Sequence, residues 1–134
     1  MSGADDDFII ALSETLVSMS DAGFSGLSPQ ERVFVVVWEL EADLNNGGFN
    51  QYFFNSHSDH VAAVPDALRA IGAPKTAAIV ERAIETFPNG APPDRATRQE
   101  LLEEIDAENG VFEGLDEEFL AYPHDLTGLL AAFA

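Results

Sequence analysis

The chain has 134 residues, 46% of them hydrophobic, no cysteine and a formal charge of −18. That length and apolar content suit one buried core and exclude a disordered acidic tail, while the absence of cysteine excludes disulfides, thiolate zinc sites and a Cys nucleophile. No run approaches the roughly 20 apolar residues of a bilayer span, and the start lacks the basic region of a secretory signal, so a cytoplasmic location is expected.

The charge is larger than solubility requires, since about 2 to 8 units keep a small domain dispersed. It is also uneven: residues 1–31 carry −6, residues 32–98 carry −2, and residues 99–134 carry −10 with no Lys or Arg at all. Such a surface repels nucleic acid and anionic membranes and attracts basic partners.

In chain order, Asp5-Asp6-Asp7 followed by Phe8, Ile9, Leu12, Leu16 and Met19 predicts a helix with its acids at the positive end of the dipole. Asp21 to Gly26 breaks it. Ser28-Pro29-Gln30-Glu31 combines an N-cap, a first-turn proline and a capping-box glutamate, and predicts a helix over about 29–45. On a helical wheel Arg32, Glu39 and Asp43 form one narrow polar stripe, whereas Glu41 and Asn45 fall among the apolar positions. This is the expected central, buried helix.

Gly47-Gly48 ends it, and Phe49 to Asn55 predicts a short helix with Phe49, Tyr52 and Phe53 turned inward and Gln51 and Asn55 sharing another face. Glu41 is expected to accept from the free N–H groups at the start of that short helix. A second use of these residues is a polar pocket of Glu41, Asn45, Gln51 and Asn55 for small-molecule binding or acid–base chemistry. His57, Asp59 and His60 are sound metal ligands by type, yet their spacing matches no metal motif. They read as a polar loop with a helix cap at Ser58 or Asp59, and no metal or cofactor is expected.

A helix to Ile71 follows, with Pro65 in its first turn or at a kink. Gly72-Ala73-Pro74 turns the chain into a helix over Lys75 to Phe87, and Pro88 to Pro93 ends that one. Asp94 caps a helix reaching about Glu108, apolar at Leu101, Leu102 and Ile105 and acidic at Glu100, Glu103, Glu104, Asp106 and Glu108. Two shorter helices, Leu115 to Tyr122 and His124 to Phe133, complete an all-α chain read as a single domain over 1–134.

Glu100, Glu104 and Glu108 recur at i, i+4 without an interleaved base, an arrangement that costs a helix roughly 0.2 to 0.5 kcal/mol per pair. Continued by Glu113, Asp116, Glu117 and Glu118, it presents closely spaced negative charge, as the phosphates of a nucleic-acid backbone do. Adaptation to a high-salt cytoplasm also favours acids, but would scatter them over every exposed face.

One stretch carries a resemblance. Asn45-Asn46-Gly47-Gly48-Phe49-Asn50-Gln51-Tyr52-Phe53-Phe54-Asn55, preceded by Trp38-Glu39-Leu40-Glu41 and followed by Ala70-Ile71-Gly72-Ala73-Pro74-Lys75-Thr76-Ala77, resembles a bacterial family of small acidic all-helical domains that includes a DNA-mimic protein. The resemblance is specific over residues 38–55 and extends to about residue 87. It implies a non-enzymatic, all-α monomer or homodimer whose negative surface occupies the basic face of a transcription factor or another DNA-binding protein. The motif itself is read as structural. The acids Glu100, Glu103, Glu104, Asp106, Glu108, Glu113, Asp116, Glu117 and Glu118 are the expected partner surface. An acidic immunity-type partner of a basic protein is an alternative.

Overall fold

The computed structural model describes residues 23–108 and 110–133; the helix expected over Asp5 to Met19 lies outside them. Among the described residues there are six α-helices and no strand: α1 (Pro29–Phe54), α2 (Val64–Ala70), α3 (Pro74–Glu85), α4 (Arg95–Ile105), α5 (Glu113–Leu120) and α6 (Leu126–Phe133). Short 3-10 segments occupy Phe24–Gly26 and Ser56–Ala63. The fold is all-α, as the sequence pattern predicts.

Helix α1 starts where the capping box requires. Ser28 Oγ accepts from Glu31 N at 3.1 Å, and Ser28 N donates to Glu31 Oε1 at 3.0 Å. The helix is two helices joined by a break at Gly47 and Gly48, whose backbones are non-helical. Gly48 takes φ 72°, ψ −167°, a region open essentially to glycine alone. The break turns Phe49, Tyr52 and Phe53 inward, where all three are buried.

These aromatics are the centre of the core. Phe53 meets Phe87 edge-on at 4.9 Å and Phe112 at 5.5 Å, and Phe49 meets Phe119 edge-on at 5.9 Å. Offset and edge-on ring pairs of this kind add roughly 0.5 to 1.5 kcal/mol each beyond area burial. Val35, Val36, Val37, Leu40 and Leu44 line the other half of α1 against the rest of the core. Residues Val33 to Trp38, β-rich in composition, are thus helical because capping and burial outweigh propensity.

Pro65 sits in the first turn of α2 and Pro74 in the first turn of α3, positions where the missing N–H removes no helical bond. Between them Gly72 takes φ 92°. Asp94 caps α4, its carboxylate accepting from Thr97 N at 3.0 Å and from Thr97 Oγ1 at 2.6 Å. The hydroxyl bond, then the backbone bond, hold the Asp94 carboxyl below the usual range.

Helix α4 is shorter than its sequence suggests. It ends at Ile105, with Asp106 as C-cap at φ −119°. Glu108 lies beyond it in a turn, so the expected row of Glu100, Glu104 and Glu108 along one helix is limited to Glu100 and Glu104. The cause is tertiary: Asp106 is drawn inward, accepting from Asn50 Nδ2 and, at 3.0 Å, from Val111 N.

Candidate interaction surface

Two constellations carry ionisable groups: an acidic face built on α4 and α5, and a polar knot buried beneath the start of the Ser56–Ala63 segment. On the face, Glu100, Glu103 and Glu104 of α4 are exposed, as are Glu108 in the following turn and Glu113, Glu117 and Glu118 of α5. The acids Asp106 and Asp116 stand apart. Asp106 is buried, and Asp116 is half-buried, accepting from Phe49 N at 2.8 Å. Burial pushes the Asp116 carboxyl up, against the Phe49 N–H that favours its charged form. Glu118 is paired with Arg82 at 2.8 Å, which lowers its pKa through that hydrogen bond.

Asp116, and not Glu41, therefore caps the helix beginning at Phe49. Glu41 instead faces Tyr122, just beyond α5; burial raises its pKa and the Tyr122 hydroxyl opposes the rise. The motif stretch positions the acidic elements directly. Gly48 brings its backbone against Asp116 of α5, and Asn50 holds Asp106 at the end of α4.

The knot rests on a side chain that the residue pattern alone does not single out. Arg98 is wholly buried. Its guanidinium donates to the carbonyls of Phe53, Asn55, Pro92 and Pro93 and to Asp59 Oδ1, all at 2.7 to 3.2 Å. The end of α1, the Pro92-Pro93 loop and the Ser56–Ala63 segment are all pinned to α4 by this one group. The available signal was that Arg98 falls on the same side of α4 as Leu101, Leu102 and Ile105 at i, i+3, i+4 and i+7.

Beside it, His57 bridges two buried carboxylates one helical turn apart. Its Nδ1 lies 2.9 Å from Asp43 Oδ2, and its Nε2 lies 3.3 Å from Glu39 Oε2. Gln51 and Asn55 donate to Asp43 Oδ1 at 3.3 and 3.2 Å. The stripe of Glu39 and Asp43, polar on the wheel, faces the Ser56–Ala63 segment and is buried. Ser58 and Asp59 are not helix caps: Ser58 Oγ donates to the carbonyls of Phe53 and Asn55, and Asp59 pairs with Arg98.

The DMP19-like protein family model matches residues 25–134. The chain belongs to that family. The match runs well beyond the motif stretch and takes in both acidic helices. Comparison with curated proteins and with solved structures finds no match. No described helix is long and apolar enough to cross a membrane.

In this DMP19-like chain the pocket expected from Glu41, Asn45, Gln51 and Asn55 is not assembled. Asn45 Nδ2 donates to Tyr122 Oη at 2.7 Å on the side of α1 that carries Glu41, whereas Gln51 and Asn55 converge on Asp43. Positions 41 and 43 differ by about 200° around a helix, so the two pairs face apart. The described residues hold no group of three or more ligands suited to a metal ion.

The knot makes stability depend on pH. Burial pushes the Glu39 carboxyl from 4.5 up to about 7, with Asp43 and Asp59 adding to the rise and His57 opposing it. The folded state thus keeps this proton at pH values where the unfolded chain has lost it. The contribution is fully present below about pH 4.5 and is lost as pH climbs from 4.5 to 7. Glu39→Gln removes that dependence. We expect the variant to exceed the parent by about 1 to 2 kcal/mol at pH 8, discounting for water around His57, and to converge with it near pH 4.5. Urea unfolding of both proteins across the range checks this.

Proposed function

We propose that this DMP19-like protein acts as an acidic DNA mimic, occupying the basic DNA-binding surface of a transcription factor or another DNA-binding protein. The observation that carries the reading is the face of α4 and α5. Glu100, Glu103 and Glu104 project from one helix, with Glu113 and Glu117 from the next. Both helices are fixed to the core through Arg98, Asn50 and Asp116 rather than left to move independently. A rigid array of carboxylates imposes on a partner the geometry that phosphates would, and the loss of flexibility needed to bind is already met on folding.

Binding then proceeds by competition with DNA, with fast association steered by charge and steep sensitivity to salt. The structural motif of Trp38, Asn46, Gly47, Gly48, Phe49, Tyr52 and Phe53 takes no direct part in this mechanism. It holds the face in place.

The triple reversal Glu100→Lys/Glu103→Lys/Glu104→Lys tests the reading. Affinity for the DNA-binding partner at low salt is expected to fall at least about 100-fold, with a shallower salt slope. An unchanged affinity would place recognition elsewhere on the molecule. Uniform loss on reversing acids outside this face, such as Asp66 and Glu85, would favour general acidity, as adaptation to high salt produces.

A further inference from the structure

Around Asp106, at the end of α4, the surface sinks into three adjoining hollows of about 510, 410 and 560 Å3, the first between α4 and the end of α1, the second between α1 and α5, the third along the turn after α4, and Asp106 lines every one of them. Asn50 lines the first two, and Gly110 the second and third. These shared residues set the hollows side by side as a bent groove around Asp106. Its walls are acidic, with Glu100 and Glu103 on the α4 side and Glu113 and Glu117 on the α5 side, and no Lys, Arg or His lines it among the described residues.

The groove is also where apolar surface meets water. Among the described residues the large hydrophobic side chains exposed to solvent are Phe54 at 50%, Val111 at 44% and Leu120 at 42%. Each lines one of the three hollows. Arg95 lies over one face of the Phe54 ring, 5.9 Å from its centroid, which orients that ring at the groove's end. Exposed apolar groups gathered in one channel and rimmed by charge mark a docking site, and a phosphate backbone offers nothing equivalent to them.

We infer that this groove docks a basic segment of the partner protein that inserts apolar side chains against Phe54, Val111 and Leu120 while its Lys and Arg residues meet the acidic walls. The inference rests on the mimicry reading and specifies what its partner presents. Charge selects the occupant. Residues 1–22 of the chain itself carry Asp5, Asp6, Asp7, Glu14 and Asp21 with no Lys or Arg, and a second copy would bring the same acids to the groove. Both are repelled where a basic segment is attracted.

Two synthetic helical peptides of identical Lys and Arg content, one with a Leu stripe and one with Ser in its place, test this against the full chain in a salt series. The Leu peptide is expected to bind about tenfold more tightly or better. Phe54→Ser/Leu120→Ser abolishes that advantage without changing the salt slope, whereas Glu103→Gln/Glu117→Gln weakens both peptides and flattens the slope. Circular dichroism checks folding, and Val111→Ser serves in place of the double variant if that fails to fold. Equal binding of the two peptides, or a Leu advantage that survives the apolar substitutions, overturns the inference. Either result leaves the mimicry reading standing, since that reading fails on a different observation, the inability of duplex DNA to compete with the native partner.

Discussion

Arg98→Ala is expected to lower unfolding free energy by about 3 to 5 kcal/mol, enough to threaten folding of a small domain. The side chain is wholly buried and serves four carbonyls and one carboxylate at once. Truncation leaves those acceptors without their shared donor and opens a cavity, two costs that act in the same direction. Arg98→Lys should recover less than half of the loss, because an ammonium keeps the charge but cannot span acceptors on three separate segments. Urea denaturation measures both. A loss below about 1 kcal/mol for the Ala variant would match a surface substitution and contradict the role assigned to this residue.

The second large effect is expected at Gly48. Its φ of 72° and ψ of −167° already disfavour any side chain, and an added Cβ would stand 2.5 Å from Asp116 Oδ2. Gly48→Ala therefore combines backbone strain with displacement of the carboxylate that caps Phe49 N, for about 2 to 4 kcal/mol in all. Because part of that cost is the clash with Asp116, the effect should be smaller in an Asp116→Ala background. A double-mutant cycle is expected to show coupling of about 1 kcal/mol. Strict additivity would mean that Asp116 does not sense the glycine, and that the motif does not position α5.

The contrast between these two sites shows how much the residues disclose by themselves. Helix starts were legible because their determinants are local: Ser28 and Glu31 close a box within one turn, Pro65 and Pro74 sit where a proline is harmless, and Asp94 reaches only to Thr97. The break at Gly47-Gly48 was legible for the same reason, as was the inward turn of the aromatics that follow it.

What escaped prediction depends on elements distant in sequence. A helical wheel gives the relative phase of Glu39, Asp43 and Glu41 but not which neighbour covers each side. The stripe of Glu39 and Asp43 is buried because His57 and the segment around it come to lie there. The end of α4 depends on Asn50, 56 positions earlier than Asp106, so the pattern of acids alone extends that helix too far. Arg98 was hidden by its charge: a base on an acidic helix, like its exposed neighbour Arg95, reads as exposed until the carbonyls that receive it are assembled by the fold.

These particulars change the composition of the acidic face. Asp106 and Asp116 contribute to its construction, Glu118 is engaged by Arg82, and Glu108 extends the face from a turn instead of a helix. The remaining exposed carboxylates come from two helices that the motif stretch holds to the core through Asn50 and Phe49. Fold and surface are thereby linked. A change in the motif should alter how the acids are displayed even though no motif residue carries the charge.

The most direct measurement of the central claim uses the intact protein immobilised at low ionic strength and loaded with DNA-binding proteins from its native lysate. Mimicry predicts that duplex DNA displaces the retained proteins in a concentration-dependent way, that raised salt releases them, and that the Glu100→Lys/Glu103→Lys/Glu104→Lys protein fails to retain them. Proteins that stay bound in the presence of excess duplex DNA would contradict it.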